Sequence, residues 1–255
     1  MDQIYIPKNR AGFEIGSYVT IRSLNNKNAE RIERNKLYFY HVKSLEPIKL
    51  DIINNVIKVV DANISKYENI IITGSFLDEG FDFRDLDIII VSDEKIESKN
   101  IEPILEKEIR LKLDIIVIDN NALMTGLSND PLYQMMLSKC VTKNRFVYRI
   151  KKKMDYRILD LHLLESKSLI NNFNILNGRE KYYLIRNMIA IYLFLKGKKI
   201  NQINVDNEIR KIFHLEDILE IKNNMLNKAK FLNRYKRLYN HIFNEIIGHV
   251  KDGSK

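Results

Sequence analysis

Three short apolar runs stand out along the chain: Ile70-Ile71-Ile72, Ile88-Ile89-Ile90-Val91 and Ile115-Ile116-Val117-Ile118. Runs this short, continuous and β-branched predict strands buried on both faces of a sheet. Before the first, Pro47 followed by Ile48, Ile52, Val56 and Val59 at helical spacing predicts a helix with proline in its opening turn. Between the second and third, Glu102–Lys112 predicts another helix, with Pro103 near its start. Upstream, Ile4–Ile6 and Tyr18–Ile21 read as strands joined through a turn in which Gly12 and Gly16 supply freedom, and Leu37–Val42 as a further short strand. Beyond residue 130 the pattern turns helical nearly to the end. Asp130-Pro131 opens one helix; Met154–Leu169, Glu180–Leu195 and Leu215–Ile247 give longer ones, and Gly197 stops the third of these four. The expectation is an α+β protein in three parts: a β-rich element over 1–45, a mixed-sheet core over 46–128 and a helical domain over 129–255.

Composition narrows the class. Of 255 residues, 45% are hydrophobic, enough for a real core, and Gly and Pro are too few for a linker or collagen-like chain. The single Cys140 excludes a disulfide framework and any multi-cysteine metal site; beside Met135, Met136 and Leu137 it reads as apolar filler. The first residues lack the basic-then-apolar layout of a signal peptide, and the apolar helical run Met188–Leu195 is far short of the ~20 residues a membrane span needs. A soluble, cytoplasmic protein is expected. Its charge is uneven. Residues 1–140 carry 18 basic and 22 acidic side chains, residues 141–255 carry 24 and 11, so the C-terminal half holds a surplus of +13. That surplus suits a polyanionic partner or a solvated basic surface equally well.

The candidate chemistry gathers at the predicted strands. Asp85 and Asp87 enter the Ile88–Val91 strand, and two residues apart on a strand they point the same way. Asp114 enters Ile115–Ile118. Carboxylates at the same end of neighbouring strands repel unless a cation lies between them, and Mg²⁺ suits oxygen ligands and substrate phosphates. Thr73-Gly74-Ser75 ends the first strand and is expected to open a helix, where glycine lets a phosphate approach and free amides favour its charge. A phosphate cradle beside metal-binding carboxylates predicts phosphoryl or nucleotidyl transfer. Two alternatives stay open: the acids of 78–87 as ordinary turn formers, and Asp82 as a ligand in place of one of the pair.

Gly74-Ser75, then Asp85-Leu86-Asp87 after a short gap, then Asp114 on a later strand, resembles the nucleotidyltransferase superfamily that includes DNA polymerase beta. The resemblance covers roughly residues 46–120. It implies that Asp85 and Asp87 hold Mg²⁺ or Mn²⁺ and through it a nucleoside triphosphate. Asp114 would bind the metal nearer the acceptor and help activate its hydroxyl, while Gly74 and Ser75 grip the distal phosphates and pyrophosphate leaves. It leaves the nucleotide open, and the acceptor open among an RNA end, a small molecule and a protein side chain. The alternatives are a catalytically silent nucleotide- or nucleic-acid-binding module and an antitoxin-like transferase acting on a protein partner.

Other residues add less. The five histidines show no i,i+4 pair of the kind that forms a zinc helix. Arg186, a turn beyond Tyr182, reads as either a phosphate contact or a structural ion pair. Pro7-Lys8-Asn9-Arg10 followed by Gly16-Ser17-Tyr18-Val19 resembles the swapped-hairpin transcription factors of the AbrB type, over about twenty residues and without the rest of that fold.

Overall fold

The computed structural model describes residues 36–252 apart from Arg149; the strands expected at Ile4–Ile6 and Tyr18–Ile21 and the AbrB-like segment lie outside the described residues. Among the described residues five strands form one mixed sheet: β1 (Tyr38–Tyr40), β2 (Asn69–Thr73), β3 (Leu86–Val91), β4 (Leu113–Ile118) and β5 (Cys140–Thr142). Their spatial order is β1-β5-β2-β3-β4. β3 and β4 run parallel, joined by helix α2 (Ser98–Ile109), while β2 is antiparallel to both β3 and β5. This is a mixed α+β architecture, one mixed sheet with helices.

Strand alternation divides the apolar runs between two cores. Ile70, Ile72, Leu86, Ile88, Ile90, Leu113 and Ile115 face α1 (Pro47–Asn63) and α2 in one cluster. Ile71, Ile89 and Val91 face α3 (Asn120–Asn129) and α4 (Pro131–Leu137) in another, with Leu123, Leu127 and Cys140. Because both faces are covered, β2 and most of β3 are apolar without alternation. A third cluster belongs to the C-terminal helices α5 (Tyr156–Asn172), α6 (Gly178–Leu195), α7 (Gln202–Phe213), α8 (Leu219–Lys222) and α9 (Lys228–Asp252). Within it α6 is the central helix, buried on most sides from Tyr182 to Phe194 and started by a capping box between Asn177 and Glu180.

The structure differs from the sequence reading in several elements. β5 is a strand where helix was expected, and Cys140–Thr142 is too short to show a period. α2 begins at Ser98, which leaves Pro103 inside it rather than near its first turn. α7, rich in Asn, Asp and Glu, was not foreseen. The helix expected over Leu215–Ile247 is broken, because Asn224 turns left-handed at φ 58° between α8 and α9. No helix among the described residues is long and apolar enough to cross a membrane.

Candidate active site

All five strands bring chemistry to one end of the sheet. Asp87 pairs in register with Asp114 on its parallel neighbour and with Thr73 on its antiparallel one, so all three side chains stand on the face that carries α3 and α4. The helical cover lapses here. Ile116, on the same face of β4, is 42% exposed, and Asp114 is exposed, while Asp85 and Asp87 are half-buried.

The carboxylates act on one another. Burial, then the charges of Asp85 and Asp114, push the Asp87 carboxyl up from its ordinary 3.8 to about 6. Gly74 lies directly against that carboxyl: a Cβ on it would come within 1.8 Å of Asp87 Oδ2, and its φ of 82° is one that side chains resist. The chain then makes a single 3₁₀ turn, Ser75–Leu77, in place of the helix expected after Gly74-Ser75. Phe76 and Leu77 are buried in this turn, and at Asp78 the backbone is already extended. Three residues sum to almost no helix dipole, so any phosphate affinity here rests on the turn's own amides and the room beside Gly74.

The acid-rich loop that follows is organised by a residue the sequence reading passed over. Lys49 is wholly buried and donates to the carbonyls of Asp78 (2.6 Å) and Gly80 (2.5 Å), while its ammonium pairs with Glu46 (3.0 Å). The rings of Phe76, Phe81 and Phe83 surround it at 5.4–5.7 Å. Glu46 closes the clamp by accepting from the Gly80 amide at 2.6 Å; hydrogen bonds from Lys49 and that amide hold its carboxyl down at about 2. A signal existed: Lys49 shares the stripe of Ile53, Val56, Ile57 and Val60, where a lysine is out of place unless it has partners. Further ion pairs tie the same loop outward, Asp78 to Lys139 and Asp82 to Arg179 at the start of α6. Asp82 is thereby engaged away from the carboxylate group.

A cavity of about 340 Å³ opens at the same sheet end, between the Leu77–Glu79 segment and the first turn of α7. His41, Lys43, Lys139 and Asp206 are among its lining residues. It lies over the ends of β1, β5 and β2, beside the carboxylates and not around them: Asp85, Asp87 and Asp114 do not line it. Asp206 accepts from the Tyr182 hydroxyl at 2.7 Å, and burial raises its carboxyl. Arg186 stacks on Tyr183, and its buried Nε has no hydrogen-bond partner. Burial pushes the Cys140 thiol up to about 12, which makes it a poor nucleophile.

Whether this donor set suits a divalent ion has two answers. In chemistry it does, since three carboxylates at the starts of adjoining strands are hard oxygen donors with charge to neutralise. In arrangement it is not preformed: among the described residues no three His, Cys, Asp or Glu side chains are placed to hold a metal as they stand. Asp85 and Asp114 act on Asp87 by charge without forming such a group with it.

No family model matches the chain, and no curated protein matches its sequence. Among solved structures it is similar to the spectinomycin adenyltransferase AAD(9) from Enterococcus faecialis, solved with ATP and spectinomycin. The match covers 77% of this chain and 98% of that one, at 18% identity and a TM-score of 0.40. An overlap that loose transfers neither fold nor function by itself.

Proposed function

We propose that the protein transfers a nucleotidyl group from a nucleoside triphosphate to an acceptor hydroxyl on an RNA end, a small molecule or a protein. The observation that carries this reading is the pairing of Asp87 with Asp114 beside the Gly74 turn, with Asp87 pushed to about 6 in part by its two acidic neighbours. A cluster that destabilises its own charge is useful where a cation and a phosphate complete it. Asp85, Asp87 and Asp114 would hold Mg²⁺ or Mn²⁺, which when bound neutralises the carboxylates and draws charge from the phosphates. Gly74 leaves room for the triphosphate, and the Ser75 turn offers it amides. Asp114, the most exposed of the three, takes the proton of the acceptor hydroxyl. That oxygen bonds to the α-phosphorus as the bond to the β-phosphate oxygen breaks, and pyrophosphate leaves. A second reading, a silent nucleotide-binding module, is favoured by the lack of a preformed metal arrangement among the described residues.

Two measurements separate the readings. ATP or CTP is expected to raise the melting temperature only with Mg²⁺ present, and this shift should vanish in the D85N/D87N variant. α-Labelled nucleotide should pass to an acceptor in a mixed extract with wild type and not with that variant. A Mg²⁺-dependent shift without transfer supports the silent module; neither shift nor transfer overturns both.

A further inference from the structure

Part of the basic surplus of the C-terminal half is concentrated on one helix. α9 holds Lys228, Lys230, Arg234, Lys236 and Arg237, and no acid occurs from Lys228 to Asn244. Its inner face, through Phe231, Tyr235, Tyr239, Ile242 and Ile246, is part of the helical core. The outer face carries Lys230 and Arg237 two turns apart, about 10 Å along the axis, with Asn233, Asn240 and Asn244 between and beyond them and Lys236 on the flank. All are exposed, and none of Lys230, Lys236 and Arg237 has an ion-pair partner among the described residues. Arg234 is different, since it donates to the Phe213 carbonyl at 2.5 Å. The first acid, Glu245, is already matched by Lys196 at 3.2 Å and His241 at 3.6 Å, with Lys152 also close enough to feel it. It therefore does not cancel the row.

We propose that the outer face of α9 binds the sugar–phosphate backbone of a nucleic acid. Spaced cations interleaved with amide side chains match a line of phosphates and sugar hydroxyls. An anionic membrane is a poorer match, because the inner-face residues together with Leu232, Leu238 and Phe243 pack into the helical core and leave, among the described residues, only the half-buried Ile247 beside the cations. None of these cations lines the cavity at the sheet end, so they are surplus to the needs of a bound triphosphate. The proposal is independent of the carboxylate site and stands or falls without any measurement of transfer.

The test is fluorescence anisotropy with labelled single-stranded RNA, single-stranded DNA and duplex DNA, each titrated from about 50 to about 200 mM salt. Wild type is expected to bind with an affinity that falls linearly on a log–log plot. Each phosphate contact contributes about 0.7 to the slope for single strands and about 0.9 for duplex. K230Q/K236Q/R237Q should flatten the slope by about 2 and weaken binding about tenfold or more. K95Q/K99Q/K107Q, which removes equal charge around α2, should leave both within about twofold. Equal losses in the two triple variants, binding that ignores salt, or equal affinity for phosphatidylserine vesicles would each overturn the proposal. The three nucleic acids decide which backbone is preferred. Because all six substitutions are exposed, unchanged melting curves will show that the variants remain folded.

Discussion

Gly74 and Asp87 confine each other. A methyl on Gly74 cannot coexist with the present Asp87 rotamer, and the left-handed φ adds its own strain, so G74A should cost about 1–3 kcal/mol in urea unfolding. It should also lower any transfer or nucleotide-dependent melting shift far more than a substitution at Gly80, where φ is similar but a Cβ would meet nothing. Asp87 makes the complementary prediction in pH. Its folded carboxyl titrates near 6 against an ordinary 3.8, so the folded state holds a proton that the unfolded state has released. Without metal, ionising it destabilises the fold progressively as pH rises between about 4 and 6, and the full penalty applies above that window. D87N should therefore melt higher than wild type in EDTA at pH 8, by the equivalent of on the order of 1 kcal/mol after solvent screening. The gain should be absent at pH 4, and a pair of melting series checks it.

Among the elements, the loop from Ser75 to Asp85 most needs explaining, because it has little regular structure and still presents Asp85 beside Asp87 at the start of β3. Lys49 supplies the reason. K49M should leave two carbonyls without their donor and Glu46 without its ion pair, and cost about 3–5 kcal/mol, with hydrogen exchange rising first at residues 78–83. Little change at that loop would mean that the ion pairs to Lys139 and Arg179 suffice. The sequence made the long elements legible. β-Branched runs announced β2, β3 and β4, and the proline start of α1 and the glycine stop after α6 fall where the residues indicate. It hid what depends on distant partners. β5 exists because β1 and β2 flank it, and Asn224 breaks a continuing apolar pattern where its side chain accepts from buried Lys181 at 2.7 Å. Of the candidate site, the acids and Gly74 were visible as residue types, and their register was implied by two similar strands. The 3₁₀ turn was not visible, since the conformation of the loop depends on Lys49 some thirty residues earlier and on ion pairs to Lys139 and Arg179 far along the chain.

At the scale of the molecule, two chemically unlike regions share one chain: a sheet end where three carboxylates gather and a last helix with a row of cations on its outer face. The order of the sheet gives this arrangement a history. Among the described residues β1 pairs with β5 alone, which is made roughly a hundred residues later, and β5 also closes the open side of β2. As the chain emerges, β2, β3 and β4 can associate early, but the side of β2 that receives β5 stays unpaired until residue 142 has been made. Closing so long a loop is slow, and an exposed β-branched edge invites pairing with other chains in the meantime. The three residues of Cys140–Thr142 thus act as a late latch, and a nascent chain stalled before them would be open to strand exchange with its neighbours.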